Sequence, residues 1–118
     1  MSGRAILVVD DSSDIQNIFS TIGELENCTI WPASNGAEAL EMLGANREKP
    51  CAIFLDLTMP VMNGRDFLIE LRRRFRDLDV PVVLMTAINE SVDDLPVEHR
   101  LSKPFSYGQL KEVLRTIV

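Results

Sequence analysis

What this chain of 118 residues lacks narrows what it can be. No apolar run approaches the roughly 20 residues that cross a bilayer, so no membrane association is expected. Met1-Ser2-Gly3-Arg4 leads straight into an apolar strand, without the apolar segment and cleavage site of a secretory leader, and a cytoplasmic protein is expected. Cysteine is scarce: Cys28 and Cys51 lack C-x-x-C spacing and a histidine companion, which speaks against a metal or redox site. Both stand beside apolar strand residues and are read as buried free thiols. The one histidine, His99, is read as an ordinary surface or edge-strand residue rather than a pH sensor or phosphate carrier. Basic charge is in deficit, 12 residues against 18 acidic ones, which argues against direct nucleic-acid binding. The local exception, Arg72-Arg73-Arg74-Phe75-Arg76, is read as the solvated side of a helix whose core face is Phe67, Leu68, Leu71 and Phe75. Repeats, linkers and low-complexity stretches are absent, so residues 1–118 read as one domain.

What is present alternates between strand and helix. With 46% hydrophobic residues the chain can bury one core. Ile6-Leu7-Val8-Val9, Ala52-Ile53-Phe54-Leu55 and Val82-Val83-Leu84-Met85 are continuous apolar runs, the pattern of parallel strands covered on both faces. A first helix opens with a capping box at Ser13-x-x-Gln16 and places Ile15, Ile18, Phe19, Ile22 and Leu25 on one face. A second opens at Asn35 with Glu38 three residues on and stops near Gly44. A third starts around Asn63-Gly64, and the last opens at Ser106-x-x-Gln109, with Leu110, Val113, Leu114 and Ile117 at helical spacing. Repeated strand–helix units imply right-handed crossovers, hence a three-layer α/β/α sandwich.

The strand ends carry the chemistry. The first apolar run ends in Asp10-Asp11, the second in Asp56, the third in Thr86-Ala87, and Arg100-Leu101-Ser102 ends in Lys103-Pro104. Open α/β sheets bind ligands at the carboxyl ends of their strands, so these groups share one crevice. Asp10-Asp11 alone reads equally well as a helix cap, and Asp56 alone as a polar strand end. Together, carboxylates from neighbouring strands repel one another unless a cation sits among them or their pKa values rise. Oxygen ligation with open positions for water suits Mg²⁺. Lys103 can hold a phosphate oxygen, or pair with Asp56 when phosphate is absent, and Thr86 offers a hydroxyl donor. A carboxylate nucleophile, a metal, an ammonium and a hydroxyl suit phosphoryl transfer, with an aspartyl phosphate as product.

With Leu57-Thr58-Met59-Pro60 continuing to Gly64, and with Lys103-Pro104-Phe105, the whole chain resembles the receiver domain of bacterial two-component response regulators. The resemblance implies a flavodoxin-like, doubly wound fold: a five-stranded parallel sheet of order 2-1-3-4-5. It implies that Asp56 accepts phosphate from a histidine kinase or phosphotransfer protein, and that the Lys103-Pro104 bond is cis. It further implies that Asp11, Asp56 and the backbone carbonyl of Thr58 bind Mg²⁺, with Asp10 assisting through water, and that Thr86 and Lys103 hold the phosphoryl oxygens. On this reading the chain is a signalling module rather than an enzyme acting on free substrate, and switches binding to a downstream protein as a monomer or a phosphorylation-dependent dimer. No effector domain follows in this chain; Met1 and a helical end at Val118 favour a stand-alone receiver over an excised one.

Two departures from the family pattern stand out. Thr86 to Lys103 is about one helical turn short, and Pro96 discourages continuation, so a stunted or irregular fourth helix is expected. Arg100 occupies the position where many receivers carry a switch aromatic, and a guanidinium is not buried like a tyrosine ring without a partner. Thr58 and Ile88 stand where the family tunes phosphoryl lifetime; neither orients water well, so slow dephosphorylation is expected. Two other classes fare worse. A haloacid-dehalogenase-type phosphatase needs a second aspartate where Thr58 stands. A flavin or nucleotide domain needs a Gly-rich or hydroxyl-rich loop where Asp10-Asp11 would repel phosphate.

Overall fold

The computed structural model describes residues 4–87, 95, 97 and 99–117. Its strands are β1 (Arg4–Val9), β2 (Cys28–Ala33), β3 (Ala52–Asp56), β4 (Val82–Thr86) and β5 (His99–Ser102). Its helices are α1 (Ser13–Glu26), α2 (Gly36–Ala45), α3 (Gly64–Arg74) and α4 (Tyr107–Ile117). All four strand pairings are parallel, in the order β2-β1-β3-β4-β5, as the family resemblance implies. The expected stunted helix before β5, like Ile88, falls mostly on residues 88–94, outside the described residues.

Side-chain alternation along the strands builds the three layers. Ile6 and Val8 of β1, Phe54 of β3 and Val83 and Met85 of β4 face one way, against Phe19 and Ile22 of α1 and Leu110 and Leu114 of α4. Leu7, Val9, Ile53, Leu55 and Leu84 face the other way, against Leu40 and Leu43 of α2 and Phe67, Leu68 and Leu71 of α3. Phe54 is wholly buried, and a Phe→Ala change at such a site costs about 3–5 kcal/mol. The edge strand β2 tolerates Pro32, which a central strand would not.

Several details differ from expectation. On α1 the stripe that meets the sheet is Ile15, Phe19 and Ile22; Ile18 and Leu25 lie on its flank, 38% and 64% exposed, turned about 70° and about 90° from the centre of that stripe. α2 runs through Gly44 to Ala45 and is closed by Asn46, whose backbone N–H and side-chain amide both donate to Met42 O. Phe75 is half-buried at the C-cap of α3 rather than fully in the core. Exposed Arg73 and Arg74 pair with Glu70 on the solvated side of the helix, in keeping with its amphipathic pattern. Cys28 and Cys51 are free thiols but half-buried, and they flank β1 on opposite sides: Cys28 is in register with Arg4, while Cys51 N donates to Ala5 O. Burial raises the Cys28 pKa despite the opposing charge of Arg4.

Candidate functional site

Every side chain of the site hangs from the carboxyl edge of the sheet. β1 ends at Val9, and Asp10 follows with its backbone N–H donating to Ala33 O at the end of β2. Asp10 Oδ1 accepts from Ser12 N (2.9 Å), an Asx-type turn that leads into α1. Asp10 is 1% exposed, whereas Asp11 is exposed at the tip of that turn. Asp56 closes β3 and is 6% exposed, and Thr58 N donates to its Oδ1 (3.3 Å).

The return of the chain after Asp56 depends on Gly64. Its N–H donates to Leu57 O (3.0 Å), and a Cβ at this position would lie 2.5 Å from Asp56 O and 2.8 Å from Leu57 Cα. Only a residue without a Cβ lets the start of α3 come so close to the strand end. Between them, Val61 takes φ 66° with 85% of its surface exposed. A left-handed backbone at a β-branched residue costs about 1–2 kcal/mol, so this loop is held under strain beside the site.

Carboxylate oxygens of Asp10, Asp11 and Asp56 all lie within 4.8 Å of one another. The ammonium of Lys103 enters from the end of β5, 2.7 Å from Asp10 Oδ2 and 3.6 Å from Asp56 Oδ1. Lys103 thus pairs with Asp56 as expected, and more closely still with Asp10. Asp10 is the more deeply buried carboxylate, and the ammonium settles where an unpaired charge would cost most. Burial comes first among the causes that push Asp56 up to a pKa of about 6; Asp10 and Asp11 add to it, while Lys103 and the Thr58 N–H oppose it. For Lys103, burial works against the charged form, yet Asp10 and Asp56 outweigh it and raise the pKa.

Thr86 ends β4, buried, at the same edge, and its carbonyl accepts from Lys103 N (2.7 Å), so the hydroxyl and ammonium positions are tied through one backbone bond. Lys103-Pro104 is cis. Arg100 lies exposed on β5 opposite Leu84; the guanidinium does not take the place of a buried aromatic ring. His99 is half-buried on the same edge strand. Thr58 is exposed above Asp56.

The start of α1 corrects the capping expectation. Its N-cap is Ser12, whose Oγ accepts from Ile15 N (3.3 Å), one residue before the expected Ser13. Gln16 does not close on the helix; its Nε2 donates to Val8 O, Asp10 O and Ala33 O at 3.0, 3.0 and 3.2 Å. Sequence reasoning missed this residue because Ser-x-x-Gln reads as a cap, although a glutamine one turn after a strand end can reach the strand carbonyls as well. The other starts follow expectation: Asn35, Asn63 and Ser106 accept from Glu38 N, Asp66 N and Gln109 N.

This arrangement can hold a divalent cation among three carboxylates and a phosphoryl group between that cation and an ammonium. The family model of the response regulator receiver domain matches residues 6–115. Among curated proteins, a CpxR homolog transcriptional regulatory protein of Haemophilus influenzae is 33% identical over 96% of this chain and 49% of its own length. A probable transcriptional regulator, ycf27, of Porphyridium aerugineum is 32% identical over 100% of this chain and 49% of its own length. The chain thus spans about half the length of these curated relatives. Among solved structures, chemotaxis protein CheY4 of Vibrio cholerae superimposes with a TM-score of 0.84 at 25% identity, over 99% of this chain and 100% of that one. TrrA of Thermotoga maritima, solved in complex with Mg²⁺-BeF, gives a TM-score of 0.82 at 28% identity, over 98% of this chain and 99% of that one.

Proposed function

Starting from a chain that belongs to the response regulator receiver domain family, we propose a phosphorylation-controlled signalling module in which Asp56 is the phosphoacceptor. The observation that carries this reading is the carboxylate of Asp56 held between two further carboxylates and the Lys103 ammonium at the carboxyl edge of the sheet. A histidine kinase or phosphotransfer protein is the donor: its N–P bond breaks, an O–P bond forms to Asp56, and the imidazole leaves with the electron pair.

The residues present suit Mg²⁺. Among the described residues three carboxylates meet a single ammonium, and burial, with Asp10 and Asp11 adding to it, pushes Asp56 up to a pKa of about 6. Asp11, Asp56 and the Thr58 carbonyl would hold the ion, with Asp10 reaching it through water because its own oxygens are engaged by Ser12 and Lys103. Bound there, Mg²⁺ supplies neutralisation of the carboxylates and of the incoming phosphoryl oxygens. The Thr58 N–H and the Lys103 ammonium both address Oδ1 of Asp56, which orients the carboxylate for attack. Lys103 then holds a phosphoryl oxygen, and the Thr86 hydroxyl moves onto another, shifting the loops that carry them.

The module acts on a downstream protein rather than on nucleic acid or membrane, in the cytoplasm, as a monomer or as a dimer formed on phosphorylation. Residues 1–118 work as one unit in this scheme. With Arg100 exposed, the switch runs through Thr86 and Lys103 without an aromatic relay. Thr58 and Ile88, neither suited to orienting water, give a phosphoryl group that is not lost especially fast.

Incubation with Mg²⁺ and acetyl phosphate, read by intact mass, tests the reading. A gain of one phosphoryl group that needs the metal and disappears in Asp56→Asn is the expected result; no gain and no Mg²⁺ binding by folded protein would overturn it.

A further inference from the structure

Gln16 makes contacts that neither phosphoryl transfer nor helix capping accounts for. Its side-chain amide reaches the carbonyls of Val8 and Asp10, on either side of the end of β1, and of Ala33, the last residue of β2. Ala33 O also accepts from Asp10 N, so the amide joins a bond that already ties the two strand ends together. An amide NH₂ has two hydrogens and here faces three acceptors, while Gln16 Oε1 is buried and has no hydrogen-bond partner among the described residues. Turning the amide over would aim its oxygen at three carbonyl oxygens. The geometry thus satisfies the strand ends and leaves the glutamine's own acceptor unsatisfied.

What lies under that clamp is the acidic turn. Asp10 is held at four groups: its N–H donates to Ala33 O, its C=O accepts from Gln16, its Oδ1 accepts from Ser12 N, and its Oδ2 accepts from Lys103. Asp11 is different. Its side chain is exposed and makes no hydrogen bond or ion pair among the described residues, so its position follows from the backbone on either side. The carbonyl of Asp10 belongs to the peptide unit that leads into Asp11, and Gln16 is the side chain that holds it. Mg²⁺ demands near-octahedral ligands at short distance and tolerates a misplaced carboxylate poorly.

We propose that Gln16 is a positioning residue for the metal site: by clamping the carboxyl ends of β1 and β2, it aims Asp11 at the divalent cation. This rests on the receiver reading above. Loss of a supporting hydrogen bond around a metal site commonly weakens metal affinity by about 10- to 100-fold. Gln16 touches neither the phosphoryl group nor Asp56, so its loss shows in metal affinity and not in the rate once metal is saturating.

The experiment uses the full chain in four forms: wild type, Gln16→Met, the milder Gln16→Asn, and Gln109→Met. The last removes the matching glutamine at the exposed start of α4. Mg²⁺ alone is titrated by calorimetry, and acetyl-phosphate labelling is followed by intact mass across Mg²⁺ concentrations. The expected result is a Kd for Mg²⁺ raised about tenfold in Gln16→Met, a saturated rate within about twofold of wild type, and no change in Gln109→Met. A Gln16→Met affinity within twofold of wild type overturns the proposal, as does an equal weakening in Gln109→Met, which would mark general destabilisation. If Gln16→Met does not fold, Gln16→Asn is judged by the same criteria, since its shorter amide cannot span all three carbonyls. Wild type that binds no Mg²⁺ overturns the receiver reading and this proposal with it; wild type that binds Mg²⁺ normally beside an unaffected Gln16 variant overturns this proposal alone.

Discussion

α1 and α4 both open on Ser-x-x-Gln, and the two glutamines end up with opposite duties. At α4 the motif is reciprocal: Gln109 Oε1 accepts from Ser106 N (2.8 Å) and Ser106 Oγ accepts from Gln109 N (3.1 Å). At α1 the cap falls to Ser12, and Gln16 turns away from its own helix to the strand ends. The local chemistry is the same; what differs is the neighbourhood. The start of α4 is exposed, so the orphan N–H groups of its first turn are the nearest unmet need. The start of α1 sits over the carboxyl edge of β1 and β2, where the carbonyls of Val8, Asp10 and Ala33 stand within reach of the Gln16 amide. A polar side chain goes where the cost of an unmet hydrogen bond is greatest.

If helix starts anchored to the site carry more of the fold than self-contained ones, breaking them should separate the two kinds. The largest effect is expected at the start of α3. Gly64→Ala places a Cβ 2.5 Å from Asp56 O and should destabilise by about 3 kcal/mol, read as a lower midpoint in urea with unchanged slope. A loss under 1 kcal/mol would mean that the loop relaxes freely.

Charge at the site gives a second, smaller contrast, of opposite sign. Asp56 has a folded pKa of about 6 against 3.8 for the free side chain, so the native state binds its proton more tightly than the unfolded chain does. Below pH 3.8 both states are protonated and the group is neutral to stability. Between pH 3.8 and 6 its contribution falls as pH rises, and above 6 the full penalty is present. Asp56→Asn should therefore stabilise the metal-free protein at pH 7 by about 1–2 kcal/mol, after allowance for solvent screening, and the advantage should vanish near pH 4. Saturating Mg²⁺ should reverse the order, since the wild type keeps the full set of carboxylates and gains more from it. Thermal melts across pH with and without Mg²⁺ check both signs; equal pH dependence of the two proteins would sink the argument.

The smallest effect belongs to the self-contained start. Ser106→Ala removes a cap and should cost about 1 kcal/mol, with no change in Mg²⁺ affinity. A shift in metal affinity there would break the distinction between α1 and α4.

Much of this was legible in the residues. The continuous apolar runs of β1, β3 and β4 required cover on both faces, and the alternation of Ile6 and Val8 with Leu7 and Val9 supplies two cores. The acidic and basic groups that meet at the site were visible as strand ends because the parallel topology brings every carboxyl end to one edge. Elsewhere local pattern misled. Gly44 reads as a helix stop, yet helix-compatible φ values are open to glycine, and α2 continues to Ala45. Ile18 and Leu25 read as core, but only the stripe through Ile15, Phe19 and Ile22 finds the sheet. Val61 carries no mark of its left-handed backbone, which the tight return from Asp56 to Gly64 imposes.

The sequence alone determined which groups share the crevice, since periodicity and strand order depend on near neighbours and on apolar burial. Which partner each group takes was left to the tertiary structure. That Lys103 sits closer to Asp10 than to Asp56, that Asp56 holds its proton to about pH 6, and that Gln16 clamps two strands all depend on distances between residues far apart in the chain. Charge–charge energy and hydrogen bonding change within an ångström or two, and only the packed sheet sets separations that finely.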